Sequence, residues 1–335
     1  QRLRYAANHD SLTGLINRQA FDNELSRRIL DFNPTQGDAH LIMVDLDRFK
    51  DVNDFFGHLV GDAVLEEVAN RLARSVDQDT LIARWGGDEF AVLTNPGCTD
   101  EDANLLAGRL IEGCSAQIKI GGHNVSVGAS CGISPFRKGV SARELLRRSD
   151  LALYHGKNRE PGRAHFYRGE FELESQARKK AITSLSAALD EDRVFAGYQP
   201  IIELRTGKAV GMEALLRLNN ANGDILTASN VLPALLDPGL SRLIFDRMLD
   251  SICSDYRRLV SALPDLEFIS INATEADLLC HDFVENLLGK LAKANVDPHS
   301  ISLEFTETLL MVNDTKHVQQ VLGRLRSQGI SIALD

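Results

Sequence analysis

Two pairs of adjacent glycines constrain this chain more than any other feature. Gly86-Gly87 lies between the strand-like runs 80–83 and 89–94, and Gly121-Gly122 lies between 117–120 and 124–133. Glycine accepts the positive backbone angles that a tight hairpin requires, so both pairs predict antiparallel strands. Around them the apolar spacing is helical. Phe21, Leu25 and Ile29 recur within 18–32, and Val64, Leu65, Val68 and Leu72 within 61–75. A third helix is expected over 99–115 with Thr99 as its cap. Ser141-Ala142-Arg143-Glu144 has capping-box form and opens a fourth, to about residue 157. His40-Leu41-Ile42-Met43-Val44 reads as a buried strand. Hairpins mixed with helices predict an α+β unit, with helices packed on a mixed sheet.

The rest of the chain alternates more regularly. Residues 169–193 form a charged, proline-free helical stretch, apolar at Ile182, Leu185 and Leu189, that leads into a second domain near residue 180. Beyond it the pattern predicts strands over 195–204 and 209–216 and helices over 228–263. A strand over 267–273, a helix over 274–295, a strand over 301–305, a helix over 314–328 and a strand over 330–334 follow. Repeating β–α units of this length suggest an α/β barrel. Such a barrel takes about 250 residues, whereas 335 − 180 = 155 lie beyond residue 180. The expectation is therefore that more of this domain exists, or that the chain is a fragment.

Composition supports two globular domains and removes several function classes. A length of 335 residues suits about two domains, and 44% hydrophobic residues are enough for a core in each. The balance 37 − 47 = −10 gives no electrostatic footprint for binding duplex nucleic acid. No apolar run is long enough to span a bilayer, and no apolar segment after Gln1 reads as a signal peptide. Cys98, Cys114, Cys131, Cys253 and Cys280 are widely spaced, without a C-x-x-C pair, and read as reduced thiols in a cytoplasmic setting.

Chemistry concentrates at acidic strand ends. Asp45-Leu46-Asp47 closes the first apolar strand, and Asp88-Glu89 follows the first glycine pair. Carboxylates there are hard oxygen ligands suited to Mg²⁺. Gly-Gly-Asp alone is an ordinary hairpin turn; beside a second acidic strand end it points to a metal–phosphate site. Glu213, Asn272, Glu304 and Asp335 likewise fall at or near the C-terminal ends of successive predicted strands, the face on which barrel enzymes place their ligands. His9, His58 and His155 are scattered and read as packing or capping residues, Gly121-Gly122 as a turn, and Arg147-Arg148 as a solvated helix face.

These residues carry a resemblance. Arg84-Trp85-Gly86-Gly87-Asp88-Glu89-Phe90 matches the signature of the GGDEF domain, the diguanylate cyclases. His9-Asp10-Ser11-Leu12-Thr13-Gly14-Leu15-Ile16-Asn17-Arg18 resembles that family's opening, with Ile16 where proline is usual. Asp45-Leu46-Asp47-Arg48-Phe49-Lys50, Asn53, Gly57-His58 and Gly61-Asp62 match its middle stretch. Tyr198-Gln199-Pro200, Gly211-Met212-Glu213-Ala214-Leu215-Leu216-Arg217, Ser270-Ile271-Asn272 and Leu303-Glu304-Phe305-Thr306-Glu307 resemble the EAL domain, the cyclic di-GMP phosphodiesterases. Asp335 falls on the first aspartate of that family's DDFG motif.

The resemblance implies an α+β GGDEF domain at 1–168, with a nucleotidyl-cyclase-like mixed central sheet and surrounding helices. A linker helix at 169–193 and the N-terminal part of an α/β, TIM-like EAL barrel at 194–335 follow, incomplete at the C-terminus. It implies condensation of two GTP to cyclic di-GMP across a homodimer, and hydrolysis of cyclic di-GMP to linear pGpG by the complete EAL domain. Two alternatives remain: a phosphodiesterase with the GGDEF half as GTP-binding regulator, or a non-enzymatic nucleotide receptor. By position, Asp45, the Leu46 carbonyl and Asp88 would hold Mg²⁺ or Mn²⁺, with Asp88 and Glu89 catalytic. Asn53 and Asp62 would read guanine, while Phe49, Lys50, Lys157 and Arg163 would meet the phosphates. In the EAL half Glu213, also catalytic, with Asn272, Glu304 and Asp335 would hold metal, supported by Glu307. Gln199, Leu215 and Arg217 would contact cyclic di-GMP.

The sequence departs from the family patterns in places. The segment 157–163 is two residues longer than the usual K-x-x-GR. Asp77-Gln78-Asp79-Thr80 stands where the product-inhibition motif R-x-x-D is expected, which implies that this site is absent. Leu235-Leu236-Asp237-Pro238-Gly239 replaces a segment that carries a glutamate in EAL domains. The second aspartate, the lysine and the catalytic glutamate of that family fall beyond Asp335. An input region, and any membrane anchor of the parent protein, would precede Gln1.

Overall fold

The computed structural model describes residues 5, 7–33, 35, 37–220, 222–235, 237–306 and 315–334. Leu236, Glu307 and Asp335 lie outside the described residues. The chain divides into two compact units, Gln1–Ser175 and Gln176–Asp335.

The first unit is built on strand β2 (His40–Asp47), whose side chains alternate between two cores. Ile42, Val44 and Leu46 pack with Phe90 and Val92 under helices α3 (His58–Ser75) and α4 (Asp100–Ser115). Leu41 and Met43 pack with Ala91 and Leu93 on the other face, under α1 (Arg18–Asp31) and α5 (Ala142–Arg159). The six-stranded sheet has the order β1-β3-β4-β2-β7-β8, with β1 (Ile16–Asn17), β3 (Leu81–Gly86), β4 (Glu89–Leu93), β7 (Gly128–Pro135) and β8 (Ala164–Phe166). Its two edge pairs are parallel and its central pairs antiparallel, so the expected mixed sheet is present.

Local signals set the helix ends. Asn17 Oδ1 accepts the Ala20 N–H at 3.0 Å. Thr99 Oγ1 accepts the Asp102 N–H at 3.2 Å while Asp102 Oδ2 accepts the Thr99 N–H at 3.0 Å, a reciprocal cap. Ser141 caps its helix as expected, but Glu144 turns its carboxylate to Arg147 and Arg148. Arg147 also pairs with Glu172, and the Arg148 guanidinium lies over the Tyr167 ring, so this arginine pair is engaged rather than merely solvated.

Two expectations for this unit are corrected. The strand expected over 124–133 breaks at Ser126 and Val127. Strands β5 (Ile118–Ile120) and β6 (His123–Val125) close a separate hairpin, and β7 then enters the main sheet. A helix α2 (Phe49–Phe56) also intervenes before α3, entered through Arg48 in the left-handed region (φ 58°).

In the second unit β9 (Val194–Ile202) and β10 (Ala209–Asn219), the two successive strands expected at 195–204 and 209–216, form an antiparallel hairpin, and a short strand β11 (Ile225–Thr227) pairs with the far end of β10. From β10 the chain is regular: β10, β12 (Phe268–Asn272), β13 (Ile301–Phe305) and β14 (Ser331–Leu334) are parallel neighbours in chain order. The helices between them are α7 (Ala228–Leu235), α8 (Pro238–Ala262), α9 (Glu275–Leu278), α10 (Phe283–Ala294) and α11 (Thr315–Ser327). The helices expected over 228–263 are two, with a break between α7 and α8, whereas the single helix expected over 274–295 is broken between α9 and α10. Asp237, with Pro238 after it, restarts the first break by accepting the Gly239 and Leu240 N–H groups at 3.1 Å. This order is that of a β/α barrel wall. The connecting helix α6 (Glu170–Asp190) is continuous, as expected. Among the described residues no helix is long and apolar enough to cross a membrane.

One close approach tests the first unit's packing. A Cβ on Gly132 would stand 2.1 Å from the Ser149 carbonyl oxygen and 2.5 Å from the Leu153 nitrogen, both backbone atoms of α5. Gly132→Ala should therefore cost the unit about 2–3 kcal/mol. Gly108→Ala, in α4 with nothing within 4 Å of the new Cβ, should add about 0.5–1 kcal/mol. Urea unfolding followed by Trp85, the chain's single tryptophan, measures both; equal effects would contradict this packing.

Candidate functional site

In the first unit the site forms where β2 and β4 end together. Asp45 pairs with Glu89 across the sheet, and the Leu46 N–H donates to the Asp88 carbonyl at 3.3 Å. Strand alternation turns Asp45 and Glu89 toward the face covered by α5. There Lys157, in the last turn of α5, bonds Asp45 and stands 3.7 Å from Asp47 Oδ1. Asp47 accepts the Ser130 hydroxyl at 2.9 Å, and Ser130 Oγ accepts the Gly162 N–H at 3.0 Å.

Beside these acids lies a cavity of about 320 Å³ lined by Phe49, Lys50, Asn53, His58, Asp62, Leu65, Arg84, Gly87 and Asp88. Five of the expected site residues thus share one wall. Asn53 is seated over Gly61, where a Cβ would come 2.0 Å from Asn53 Oδ1; only glycine leaves that amide its place. Phe49 and Lys50 occupy the first turn of α2, whose leading N–H groups are free of intrahelical partners and favour anions. Arg163, by contrast, is 71% exposed, pairs with Glu160 at 2.9 Å, and does not line the cavity. The two extra residues of 157–163 fall in the turn that carries Glu160.

Sequence reasoning assigned no role to Arg84 and Asp10. Arg84 donates to the Gly87 carbonyl at 3.0 and 2.8 Å and pairs with Asp10 at 3.1 Å. It thereby ties the chain's opening motif to the glycine turn, with Gly87 at φ +54°. Burial raises Asp10, but hydrogen bonds from Thr13 and Arg84 outweigh it, and the carboxyl stays below its ordinary value. His58 lines the cavity, unlike His9, which stacks on Tyr5, and His155, which stacks on Phe171.

Burial dominates the electrostatics. It raises the Asp45 carboxyl, against the bond from Lys157 and with the charges of Asp88 and Asp47. It raises Glu89, with Asp45, Asp150 and Asp88 adding to it. Two acids paired at one strand end, Asp45 and Glu89, both held above their ordinary values, are suited to a cation. Among the described residues no three His, Cys, Asp or Glu side chains form a ready metal cluster. The expected donor set of Asp45, the Leu46 carbonyl and Asp88 contains two carboxylates, and its all-oxygen chemistry fits Mg²⁺ or Mn²⁺.

The second unit's site residues share strand parity. Ala214, Leu216, Ile269, Ile271, Leu303 and Phe305 pack into the core. Glu213, Leu215, Arg217, Asn272 and Glu304 therefore point to the opposite face. The Asn272 amide donates to Glu213 Oε1 at 3.1 Å, and Asn272 is the registered partner of Glu304 on the neighbouring strand. Gln199 pairs with Glu213 across the β9–β10 hairpin. A Cβ on Gly197 would meet Arg217 Cγ at 2.9 Å, so the arginine stem lies along that glycine, and its guanidinium donates to the Leu216 carbonyl at 2.9 Å.

With this geometry, comparison with known proteins decides the family. Residues 7–163 match the family described as diguanylate cyclase, GGDEF domain, and residues 182–335 match the EAL domain family. This chain belongs to the tandem GGDEF–EAL proteins. It is 30% identical over 328 residues to the bifunctional diguanylate cyclase/cyclic di-GMP phosphodiesterase MucR of Pseudomonas aeruginosa, covering 98% of this chain and 48% of that protein. It is 31% identical over 335 residues to the cyclic di-GMP phosphodiesterase NbdA of the same organism, covering 99% and 42%. The chain thus spans less than half the length of these relatives. The solved S helix-GGDEF-EAL structure of Vibrio cholerae LapD, bound to c-di-GMP, shares its fold with a TM-score of 0.60 at 20% identity, covering 100% of this chain and 78% of that one. GGDEF and EAL enzymes generally use divalent metal ions.

Asp150, on α5, provides a test of the acidic face of the GGDEF unit. Burial raises its carboxyl above the ordinary value, with Arg18 pulling the other way. A raised folded pKa means that ionisation costs stability as pH rises through that value, and that the cost vanishes below the unfolded value. Asp150→Asn should therefore be more stable than the parent at pH 7.5, with the gain shrinking as pH falls toward 4. Thermal unfolding across that range measures it; a gain independent of pH would contradict the assignment.

Proposed function

We propose that the GGDEF unit condenses two GTP into cyclic di-GMP and that the complete EAL domain hydrolyses cyclic di-GMP to pGpG. The observation that carries this reading is the meeting of Asp45, Asp88 and Glu89 at one strand end beside a cavity lined by Asn53 and Asp62. Asp62 would accept from the N1–H and N2 amine of guanine, with Asn53 completing that edge; adenine cannot supply this donor pattern. The first N–H groups of α2, at Phe49 and Lys50, would hold phosphate oxygens. Lys157 would add a point charge near them, and Arg163 would add a second cation only by leaving its pair with Glu160. Asp45, the Leu46 carbonyl and Asp88 would hold Mg²⁺ or Mn²⁺, which when bound neutralises the triphosphate and polarises the attacked phosphorus. Glu89, raised by burial, would take the proton of the attacking 3′-hydroxyl. That oxygen bonds the α-phosphorus of the second GTP as pyrophosphate leaves, and two such steps close the ring. The GGDEF unit would hold one GTP in that cavity, so condensation would need two copies of the chain, a homodimer.

In the EAL unit Glu213, Asn272 and Glu304 would hold the same class of cation, together with Asp335 and with support from Glu307. Arg217 would pair with a substrate phosphate, and Gln199 and Leu215 would border the ligand. The names of MucR and NbdA support turnover of cyclic di-GMP as the shared chemistry.

A specific observation supports a second role for the GGDEF unit, as a GTP-responsive regulator. Helix α5, which brings Lys157 to Asp45, also grips the start of α6. His155 stacks on Phe171 at 3.9 Å, Arg147 pairs with Glu172 at 2.6 Å, and Arg159 with Glu174 at 3.3 Å.

Purified protein given GTP and Mg²⁺ should form cyclic di-GMP. Asp88→Ala should lower the rate by at least about 100-fold, while Glu213→Ala should leave condensation intact. A dimeric sample that makes no cyclic dinucleotide would contradict the cyclase reading. If the regulatory role holds, a non-hydrolysable GTP analogue should speed cleavage of cyclic di-GMP by the full-length protein. Asp62→Ala should remove that response; cleavage indifferent to the analogue would exclude it.

A further inference from the structure

The Lys157 ammonium occupies a position that the proposed metal chemistry also needs. It bonds Asp45 Oδ1 and lies 3.7 Å from Asp47 Oδ1, with all three side chains less than a third exposed. Asp47 is further held by the Ser130 hydroxyl at 2.9 Å. The end of α5 has little freedom to retreat, because a Cβ on Gly156 would stand 2.1 Å from the His165 ring. A divalent cation on Asp45 would bring two positive charges beside this ammonium in a partly buried setting, where like charges repel strongly. The two cations therefore compete for one carboxylate.

The competition is relieved only where an anion can take the ammonium over. The nearby cavity wall, with the open N–H groups at the start of α2, is the place where a polyanion would settle. We infer that Lys157 is a built-in competitor for the divalent cation at Asp45, so that the cation binds tightly only together with a nucleoside triphosphate whose phosphates draw Lys157 away. This inference rests on the metal–GTP reading of the GGDEF unit. It makes Lys157 a positioning residue that couples cation affinity to nucleotide, beyond its service as a phosphate contact. A cation alone would then leave the acidic strand end largely paired with lysine.

The chain's single tryptophan allows this unit to be read separately from the EAL unit. Trp85 lies three residues before Asp88, beneath the Arg18 guanidinium, so paramagnetic Mn²⁺ bound at this strand end should quench its fluorescence. The full chain, Lys157→Met and Lys157→Arg are titrated with MnCl₂ alone and with MnCl₂ plus α,β-methylene GTP. Circular dichroism melts confirm that each variant is folded. The wild type should bind Mn²⁺ weakly alone and much more tightly with the analogue. Lys157→Met should bind Mn²⁺ alone roughly tenfold more tightly and lose most of the enhancement by the analogue. Lys157→Arg, which keeps the charge, should stay near the wild type in Mn²⁺ alone. Unchanged or weaker Mn²⁺ affinity in Lys157→Met, with a wild type that responds to the analogue, would overturn the competition while leaving the metal–GTP site standing. No Mn²⁺ quenching in the wild type, with or without the analogue, would overturn both.

Discussion

The central strand His40–Asp47 is hydrogen-bonded on both edges and covered on both faces, so every residue along it must be apolar or be answered. Leu41, Ile42, Met43 and Val44 are apolar, and His40 at its start is answered by Asp100 at 2.6 Å. At its end the alternation continues with Asp45 and Asp47, whose charge can be accommodated only because Lys157 and Ser130 meet them. The same two-residue period that builds two cores thus delivers carboxylates to one face at the mouth of the sheet. Leu46, between them, stays in the opposite core and holds the strand in register. The remaining features of the site are arranged around this end: the Asp88 turn braced by Arg84, the cavity, and α5.

The EAL unit applies the same rule in a parallel setting. Strand parity commits Ala214, Leu216, Ile271 and Leu303 to the core and leaves Glu213, Asn272 and Glu304 on one face. Registered pairing then sets Asn272 beside Glu304, within reach of Glu213. In the GGDEF unit the acidic groups collect at a strand end, whereas Glu213, expected near the C-terminal end of its strand, lies within β10 because that strand runs on past residue 216 to pair with β11.

Much of this was legible in the sequence, for a physical reason. Periodicity of two and of 3.6, glycine hairpins and helix caps are local, and they located the helices at 18–31, 100–115 and 142–159 to within a few residues. Phe49, Lys50, Asn53, Asp62 and Asp88, which the family resemblance singled out, line one cavity wall. What escaped depends on distant partners or on irregular backbone. Helix α2 begins after a left-handed Arg48 without a capping side chain, so no local signal announces it. The clasp between Arg84 and Asp10 joins residues 74 apart, and the bond between Lys157 and Asp45 joins residues 112 apart. The antiparallel pairing of β9 with β10 is not announced locally, because the turn between them, 203–208, has only one glycine.

In the proposed function, one strand end of the GGDEF unit gathers a divalent cation and a guanine nucleotide together. Crystals of the protein grown with Mn²⁺ and α,β-methylene GTP, with diffraction recorded near the manganese edge, test it most directly. The expected result is an anomalous peak bonded to Asp45, the Leu46 carbonyl and Asp88, with the guanine ring against Asn53 and Asp62. Manganese at another place in that unit, or a guanine ring turned away from Asn53 and Asp62, would contradict it.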